Sequence, residues 1–417
     1  MRTNLIEIRI EKHFAAVESD WLEAIPKHNG NLYLSANYQR ALAGVRGSQK
    51  SYYAVFHRRG VPVGIGRFQL VQLDLGSMPV TRNKFLGWLG LRIFKLVCGV
   101  ETRIVICGDP TVSGEHGFYF RPDIAEHARD GALAEAIRRV EILSGTRVSL
   151  IKDFRSKVPQ GLVERGFLPV ETAPTMVIEI PQSWRRLGDY LNDLSSKYRH
   201  RAKSVMKKAS RLERRELSHQ DILDQADRMT ALHENVRSKA MFAIGPRGVS
   251  HLAALRLALG DQFPVVGYLL HGELVGYFAA IVAAGRIDAY CVGFDYASNR
   301  ENAIYPRMLF DHLQLAIDRG VKRVVLGRTA QDTKSALGAV PQGLTCLVQH
   351  RQPVINWIGQ MLLRRMAKLD SPLLHNPFRH VEKSLPLSRP NNRDREKNPD
   401  SFTDNSDRWT FGSSIGP

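Results

Sequence analysis

Asp288 and Tyr290 place a carboxylate and a phenol two residues apart, just before the apolar stretch Cys291–Phe294. Residues two apart on a β-strand point to the same face of a sheet. A carboxylate and a phenol that share a face could accept and donate a proton in one reaction. The alternative is a structural carboxylate, in an ion pair or at a sheet edge. The spacing therefore makes Asp288 a candidate base and Tyr290 a candidate acid.

A candidate anion site lies at Asn299 and Arg300, ahead of a helix predicted to begin near Pro306. The first N–H groups of a helix have no partner within it, and the helix dipole favours negative charge there. Arg300 and Arg307 would add charge-assisted hydrogen bonds to a phosphate. A solvated loop with surface arginines is the alternative, and the sequence leaves both interpretations open.

A third candidate site follows the apolar stretch Val324–Leu326. Gly327 and Arg328 come directly after it, and ligands gather at the C-terminal ends of strands in folds of this kind. Lys334 could reach into the same cleft, or it could only begin a surface helix. The sequence has no HExxH motif and no cluster of cysteines and histidines, so no metal site is predicted.

Two similar halves must position these residues. In each half a predicted hairpin precedes a helix, a strand and a final apolar run, and both hairpins turn at a glycine, Gly60 or Gly272. Order and spacing predict a duplicated fold. The first half has a helix at 132–144, a strand at 147–152 and a last run at 175–180; the second has a helix at 306–319 ending at the C-cap Gly320, a strand at 323–326 and a last run at 344–348.

The predicted fold class is α+β, with two tandem domains that each have a mixed central sheet flanked by helices. The boundaries expected are 1–183, 184–380 with a basic helical entry segment, and a disordered tail at 381–417. A content of 43% apolar and 24% charged residues excludes a wholly disordered or fibrous chain of 417 residues. Four scattered cysteines suit a reducing cytosol, and the N-terminus lacks the apolar region of a cleaved signal peptide.

The formal net charge of +18 indicates an anionic partner: a nucleic acid, an acidic membrane face or a phosphorylated molecule. Residues 195–215 hold nine Lys/Arg and one acidic residue at helix-compatible spacing, followed by a second helical stretch at 220–239. Only Tyr198 interleaves with these charges, which disfavours nucleic acid. Residues 82–97 and 354–368 combine apolar and basic side chains as interfacial helices do. We therefore expect a cytoplasmic protein that is peripheral on the inner membrane face, with packing against the protein body as the alternative.

The ordered motifs resemble the GNAT acyltransferase superfamily. They are the hairpin Gly272–Gly276, the basic stretch Leu194–Ala209, Tyr290–Phe294 followed by Tyr305-Pro306, and Gly327–Ala339 followed by His350-Arg351. The tandem arrangement is similar to the Fem-type, peptidoglycan biosynthesis/recognition (BioF2-like acetyltransferase) branch, over about residues 30–360. The phosphate loop of the superfamily has small residues where this chain has the larger side chains of 300–305. This departure leaves the donor open between acyl-CoA, an acyl carrier protein and an aminoacyl-tRNA.

The resemblance implies an N-acyltransferase that moves an acyl group from acyl-CoA or an acyl carrier protein onto an amine, without a tightly bound cofactor. The backbone amides of 289–294 would stabilise the oxyanion. The resemblance also assigns roles to single residues: Asn299, Arg300, Tyr305, Gly327, Arg328 and Lys334 would bind the donor, Glu234 would join the catalytic residues, and Arg237 and Lys239 would bind the acceptor.

The acceptor implied by the resemblance is a lipid or a cell-envelope precursor. One alternative is a Fem-type transferase that uses aminoacyl-tRNA, for which the basic helix is short. A second alternative is a non-catalytic envelope-binding protein of the same fold. For Glu234 and Arg237, an ion pair three residues apart on a solvated helix face is the alternative to a role in the site.

Overall fold

A computed structural model describes residues 6–26, 31–45, 50–74, 101–239, 248–283, 285–357 and 374–379. The amphipathic segment predicted at 82–97, most of the one at 354–368 and the predicted tail lie outside these residues. The strands are β1 (Glu7–Glu11), β2 (Ser51–Arg58), β3 (Val61–Asp74), β4 (Glu101–Cys107), β5 (Phe118–Phe120), β6 (Val148–Phe154), β7 (Leu168–Glu179), β8 (Glu213–Glu216), β9 (Val265–Leu270), β10 (Glu273–Ala283), β11 (Arg286–Phe294), β12 (Arg323–Val325) and β13 (Val340–His350).

The helices flank the sheet and are mostly short. They are α1 (Glu18–Ala24), α2 (Ala36–Ala43), α3 (Glu126–Ser144), α4 (Gln160–Glu164), α5 (Leu187–Asp193), α6 (Ser196–Lys208), α7 (His219–Asp224), α8 (Ala226–Arg237), α9 (Ser250–Leu259), α10 (Tyr296–Asn302), α11 (Ile304–Asp318) and α12 (Gln331–Ser335). No helix within the described ranges is long and apolar enough to cross a bilayer.

The strands form one 13-stranded sheet, in the order β1-β2-β3-β4-β6-β13-β7-β12-β11-β10-β9-β8, with β5 paired to β3. Each half contributes four antiparallel strands followed by a parallel one. In the first half β6 runs parallel to β4, and in the second half β12 runs parallel to β11. The α+β class and the tandem arrangement predicted from the sequence are confirmed.

The last strand of each half is exchanged with the other half. β7 of the first half pairs with β12 of the second, with Val177 opposite Val325. β13 of the second half pairs with β6 of the first, with Leu347 opposite Ile151. β7 and β13 also pair with each other, so the two halves share a continuous centre. The predicted domain boundary after residue 183 stays a prediction. The strand pairing does not follow this boundary, because β7 and β13 each pair with a strand on its other side.

Both predicted hairpins are present, and each closes with two residues of positive φ. Arg59 and Gly60 have φ of 54° and 79°, and His271 and Gly272 have φ of 52° and 83°. Positive φ at both central positions is the geometry of the tight turns that suit twisted hairpins, and glycine adopts it without strain. The repeated turn supports a duplicated origin for the two hairpins.

The basic segment differs from its prediction. The helix α6 ends at Lys208, and residues 213–216 form the edge strand β8 instead of continuing the helix. The reason is tertiary: Arg214 pairs with Tyr268 of β9, so backbone hydrogen bonds to the sheet replace those of a helix. The next predicted helix, at 220–239, is two helices, α7 and α8, which meet at Gln225.

Two cores cover the faces of the second half. On one face α5, α6 and α11 pack against β10 to β12, and Gly276 permits the approach of α11, since a Cβ there would lie 2.8 Å from Ile304. On the other face α7 to α9 pack together with Tyr33 and Tyr38 of the first half. This second core therefore belongs to both halves and places first-half tyrosines against β11.

Candidate active site

A cleft of about 790 Å³ opens between the two halves. The first half supplies most of its lining, from the α1–α2 region, β2 to β4 and the loop after β4. The second half supplies Ser250 and His251 at the start of α9, and Tyr290 from β11. A concave site lined by both halves, with buried polar groups at its floor, is the arrangement typical of ligand-binding sites.

The floor of the cleft contains a buried ion pair. Arg67 Nη1 lies 3.1 Å from Asp109 Oδ2, and both side chains are almost fully buried. Tyr38 donates a 2.6 Å hydrogen bond to the same oxygen, and the Thr111 N–H donates to Oδ1 at 2.9 Å. Burial alone would raise the pKa of Asp109, but Arg67 and these donors outweigh it and hold that pKa below its usual range. Asp109 is therefore a fixed negative charge.

Tyr290 and His251 bring the second half to this floor. Their rings lie 5.9 Å apart, and Tyr290 also contacts Thr111 and Tyr38. Burial raises the pKa of Tyr290, so its phenol stays protonated at neutral pH. Burial lowers the pKa of His251 to about 4, so its imidazole is neutral, and among the described residues its Nδ1 has no hydrogen-bond partner. A proton donor and a proton acceptor thus stand side by side.

Asp288 shares the face of β11 with Tyr290, as predicted, but its carboxylate does not line the cleft. Oδ2 accepts hydrogen bonds from the Tyr33 hydroxyl at 2.8 Å and from Arg286 Nε at 3.0 Å. Oδ1 is buried without a partner among the described residues. Burial raises the pKa of Asp288, although Arg286 opposes the effect. His116 stacks on Tyr33 beside this network, with ring centroids 4.0 Å apart.

The rim of the cleft is basic. Lys12, Lys50 and Arg103 line it with exposed side chains. They have no ion pair among the described residues, whereas Arg40 is paired with Glu18. An excess of unpaired positive charge around a concave site raises the local concentration of anions. The rim therefore favours a ligand that carries negative charge.

The predicted anion site at α10 and α11 is closed by the chain's own groups. Asn299 Oδ1 accepts a 2.7 Å hydrogen bond from the N–H of Tyr305, and Pro306 has no N–H to offer. At the start of α10 the Asp295 side chain accepts from the Ser298 N–H at 2.7 Å. Arg300 is exposed on α10. The donor-binding roles of Asn299, Arg300 and Tyr305 stay predictions, because the first amides of α11 are not presented to a phosphate.

Arg328 crosses between the halves. Its guanidinium bonds the buried carboxylate of Asp153 at the end of β6, and its Nε donates to Ser113 Oγ at 3.3 Å. Gly327 has φ of 77°, and its carbonyl accepts the Met176 N–H at 3.0 Å. Gly327 therefore joins the segment after β12 to the exchanged strand β7, and Arg328 joins it to β6 of the first half. Their roles in donor binding stay predictions.

Lys334 does not begin a surface helix. It lies in α12 with only 3% of its surface exposed, and burial lowers the pKa of its ammonium from 10.5 to about 7. Burial, and to a smaller degree the charge of Lys334, lowers the pKa of His312 on α11. Among the described residues no hydrogen bond or ion pair joins Lys334 to Asp288 or Tyr290, and Lys334 does not line the cleft.

Glu234 and Arg237 form an ion pair three residues apart on α8. Arg237 Nε lies 2.7 Å from Glu234 Oε2, and the Glu234 side chain is 49% exposed. Lys239 Nζ lies 3.5 Å from the centroid of the Tyr296 ring. None of the three lines the cleft. Their catalytic and acceptor-binding roles stay predictions. No cluster of metal-ligating side chains is found within the described part of the chain.

Sequence patterns did not point to several residues of the site: Arg67, Asp109, Tyr33 and Tyr38 of the first half, and His251 of the second half. One signal was available, because Gly108-Asp109 follows the apolar strand β4 just as Gly327-Arg328 follows β12. Polar residues after the C-terminal end of a strand often form sites. Nothing local in the sequence marks Arg67 or Tyr33.

Several solved structures are similar to this chain at low sequence identity. FemX has a TM-score of 0.49 at 11% identity, covering 85% of this chain and 100% of that chain. L-PGS from Bacillus licheniformis has a TM-score of 0.48 at 11% identity, covering 86% and 98%. A tandem GNAT protein from the clavulanic acid biosynthesis pathway has 0.48 at 10% identity, covering 84% and 99%. No curated protein matches the chain.

Residues 196–335 match the family model described as acetyltransferase (GNAT) domain. The match begins at the first residue of α6 and ends at the last residue of α12. The match assigns this segment of the chain to a GNAT acetyltransferase domain, and it supports an N-acyltransferase enzyme. The resemblance drawn from the sequence motifs is confirmed for the superfamily and for the class of enzyme.

Proposed function

We propose that the enzyme transfers an acyl group from a pantetheine thioester, on CoA or on an acyl carrier protein, to an amine held in the inter-half cleft. One observation carries this proposal: Tyr290 of the GNAT domain lines the same cleft as Arg67 and Asp109 of the first half. The second half then binds the acyl donor and supplies the proton donor, Tyr290. The first half forms the pocket for the amine acceptor.

The basic rim selects an acceptor that has a negative charge besides its amine. A phosphate-bearing lipid or cell-envelope precursor meets this requirement, and the exposed Lys12, Lys50 and Arg103 would face its anionic group. Each exposed pair contributes only about 0–1 kcal/mol, so the rim sets the class of acceptor more than its affinity. Work at low ionic strength would strengthen this selection.

The reaction needs one proton removed and one supplied. The amine nitrogen attacks the thioester carbonyl, and its proton passes to the neutral His251 imidazole. The C–S bond of the tetrahedral intermediate then breaks, and the departing thiolate takes the proton of the Tyr290 phenol. Transfer of the proton from the His251 imidazolium to the Tyr290 phenolate, whose rings lie 5.9 Å apart, restores both groups for the next turnover. Asp288, bonded to Tyr33 and Arg286, holds β11 against the first half at this point. Positioning of the amine at the carbonyl supplies much of the rate.

The test is a transfer assay with purified enzyme. Acyl-CoAs of several chain lengths are mixed with amines that carry or lack a phosphate, and amide formation is followed by mass spectrometry alongside release of free thiol. We expect turnover that favours phosphate-bearing amines and falls about 100-fold in Tyr290→Phe, as for loss of a proton donor. Tyr119→Phe on β5 is the matched control and should keep full activity. The proposal would be contradicted if none of the thioesters gave an amide, or if Tyr290→Phe kept full activity.

An aminoacyl-tRNA is the second candidate donor. The observation in its favour is the start of α11, where Asn299 occupies the Tyr305 N–H and Pro306 lacks one. A CoA diphosphate would find few free amides there. The same assay with radiolabelled aminoacyl-tRNA in place of the thioester separates the two donors, since label would enter the amine product only if the ester of tRNA is used.

A further inference from the structure

One face of α6 carries an exposed basic stripe. Most of its members recur every three to four residues, which places them on one side of the helix. The stripe consists of Lys197, His200, Lys203, Lys207 and Lys208, and Arg211 extends it just beyond the helix. The opposite face, with Ala202 and Val205, is buried in the core of the second half. The helix is thus fixed by its apolar face while its charges point outward.

The stripe is not neutralised by the chain. Its lysines and Arg211 have no ion pair with any acidic side chain in the described ranges, although Arg214 and Arg215 further on are paired with Asp311 and Asp221. Like charges four residues apart, such as Lys203 and Lys207, destabilise a helix. A stripe that opposes the folding of its own helix is suited to an anionic partner outside the chain.

The stripe lies beside the expected donor entrance. α6 packs against both α10 and α11, the helices that follow β11. Met206 of α6 contacts Arg307 of α11, with Sδ 2.7 Å from Nη1. Because α10 begins directly after β11, α6 lies close to the C-terminal end of that strand.

We propose that the α6 stripe docks an acidic carrier protein that delivers the acyl group on a phosphopantetheine arm. This inference rests on the proposed function, because it names the carrier of the thioester. The start of α11 offers few free amides for the diphosphate of CoA, whereas a carrier protein bears no such diphosphate. Its acidic surface would instead be recognised by the stripe.

The shape of the stripe favours a protein over RNA or a membrane. Thirteen helical residues extend about 20 Å, which matches one helix of a small acidic protein. Single-stranded RNA ends are held by stacked aromatic side chains, and the one aromatic residue of α6, Tyr198, is half-buried against His375. Insertion into a membrane interface uses exposed large apolar side chains, and α6 exposes none.

The experiment compares two donors and two charge-reversed enzymes. The donors are an acyl group on a purified acidic carrier protein and the same acyl group on pantetheine, which has no charge. The stripe variant is Lys203→Glu with Lys207→Glu. The matched control is Lys157→Glu with Lys322→Glu, two exposed lysines away from α6. Binding of the acyl carrier protein is measured directly as well as turnover, and melting temperatures establish that both variants fold.

We expect the stripe variant to weaken carrier binding and raise KM for the acylated carrier about tenfold or more, with the loss growing at low salt. Turnover of acyl-pantetheine should be unchanged, and the control should behave as the unmodified enzyme. A carrier variant with acidic residues changed to lysine should restore binding to the stripe variant.

Several outcomes would overturn the docking inference. If both variants have the same KM for the acylated carrier, the stripe does not recognise the donor. In a second outcome the carrier protein fails to bind, while tRNA, or vesicles containing phosphatidylglycerol, bind the unmodified enzyme but not the stripe variant. That result would assign the stripe to tRNA or to the membrane. Turnover of acyl-pantetheine in these cases would leave the proposed function intact. If no thioester is turned over, the proposed function itself is contradicted. The direct measurement of carrier binding would still test the docking inference in that case.

Discussion

The hydroxyl of Tyr33 donates a 2.8 Å hydrogen bond to the carboxylate of Asp288, and this bond joins the first half to the GNAT domain. Tyr33 comes from a short 3₁₀ turn, Leu32–Leu34, before α2. Asp288 lies on the central strand β11 two residues before the cleft residue Tyr290. Both groups are buried, so the bond is not exchanged for one to water. The first half thereby fixes the strand that carries the candidate acid.

Replacement of Tyr33 by phenylalanine should destabilise the protein. Asp288 would lose a donor while staying buried, and an unsatisfied buried acceptor costs about 1–3 kcal/mol. Urea unfolding of Tyr33→Phe, Asp288→Asn and the double variant measures the coupling between them. We expect the double variant to lose less than the sum of the single losses, and strictly additive losses would show that the bond does not matter.

The buried Arg67–Asp109 pair should respond asymmetrically to substitution. Asp109→Asn leaves the Arg67 guanidinium buried without a counter-charge, and breaking one side of a buried pair costs about 3–5 kcal/mol. The double variant Arg67→Met with Asp109→Asn removes both charges and should recover part of this loss. Thermal and urea unfolding provide the measurement. If Asp109→Asn is as stable as the unmodified protein, water in the cleft solvates the Arg67 guanidinium.

Lys334→Met should stabilise the protein at neutral pH. The folded-state pKa of Lys334 is lowered to about 7, so between pH 7 and about 10.5 the unfolded chain binds a proton that the folded chain does not. Burial of Lys334 therefore does not lower the free energy of unfolding above pH 10.5, and it lowers that free energy progressively as the pH falls from 10.5 to 7. The gain for Lys334→Met should be about 2–4 kcal/mol at pH 7 and small at pH 10.5.

The exposed Lys322→Met is the control for this measurement and should show no such dependence on pH. A destabilised Lys334→Met at every pH would contradict the burial cost and would mean that the ammonium is well solvated. Loss of transfer activity in a more stable Lys334→Met variant would show that the burial cost is retained for function.

Mild acid should unfold the protein through its buried histidines. Burial lowers the pKa of His116 to about 3 and the pKa values of His251 and His312 to about 4. Between pH 6.5 and about 4 the unfolded chain binds protons at these sites and the folded chain does not, so stability falls as the pH falls. Each histidine contributes about 1.4 kcal/mol per pH unit. Urea midpoints at pH 7, 6 and 5 measure the slope, and His312→Gln should reduce it; an unchanged slope would exclude His312.

Local patterns in the sequence predicted most of the elements but not their partners. The hairpins at Gly60 and Gly272 and the strands after them follow from alternation and turn residues, which act over a few positions. β8 was predicted as helix, because its charged residues have no strand pattern and only pairing with β9 makes them a strand. The exchange of β7 and β13 leaves no local mark, since each strand looks the same whichever neighbour it pairs with.

The candidate site was predicted in part for the same reason. Asp288 and Tyr290 share a face because they are two apart on one strand, which a sequence reveals. Asp109 and His251 meet Tyr290 only through the packing of α2 and α9 between the halves. For Lys334 the sequence left open a place in a ligand cleft and a place on a surface helix, and the structure buries it in α12, which is unusual for lysine.

The exchange of β7 and β13 has a consequence for synthesis of the protein on the ribosome. The partner of β6 on one side is β13, which is translated near the end of the described chain. The first half therefore emerges with an open edge at β6 that no earlier segment fills, and open edges recruit strands from other molecules. We expect the first half alone to aggregate when it is expressed, and the full chain to complete its sheet only after release of the C-terminal strand.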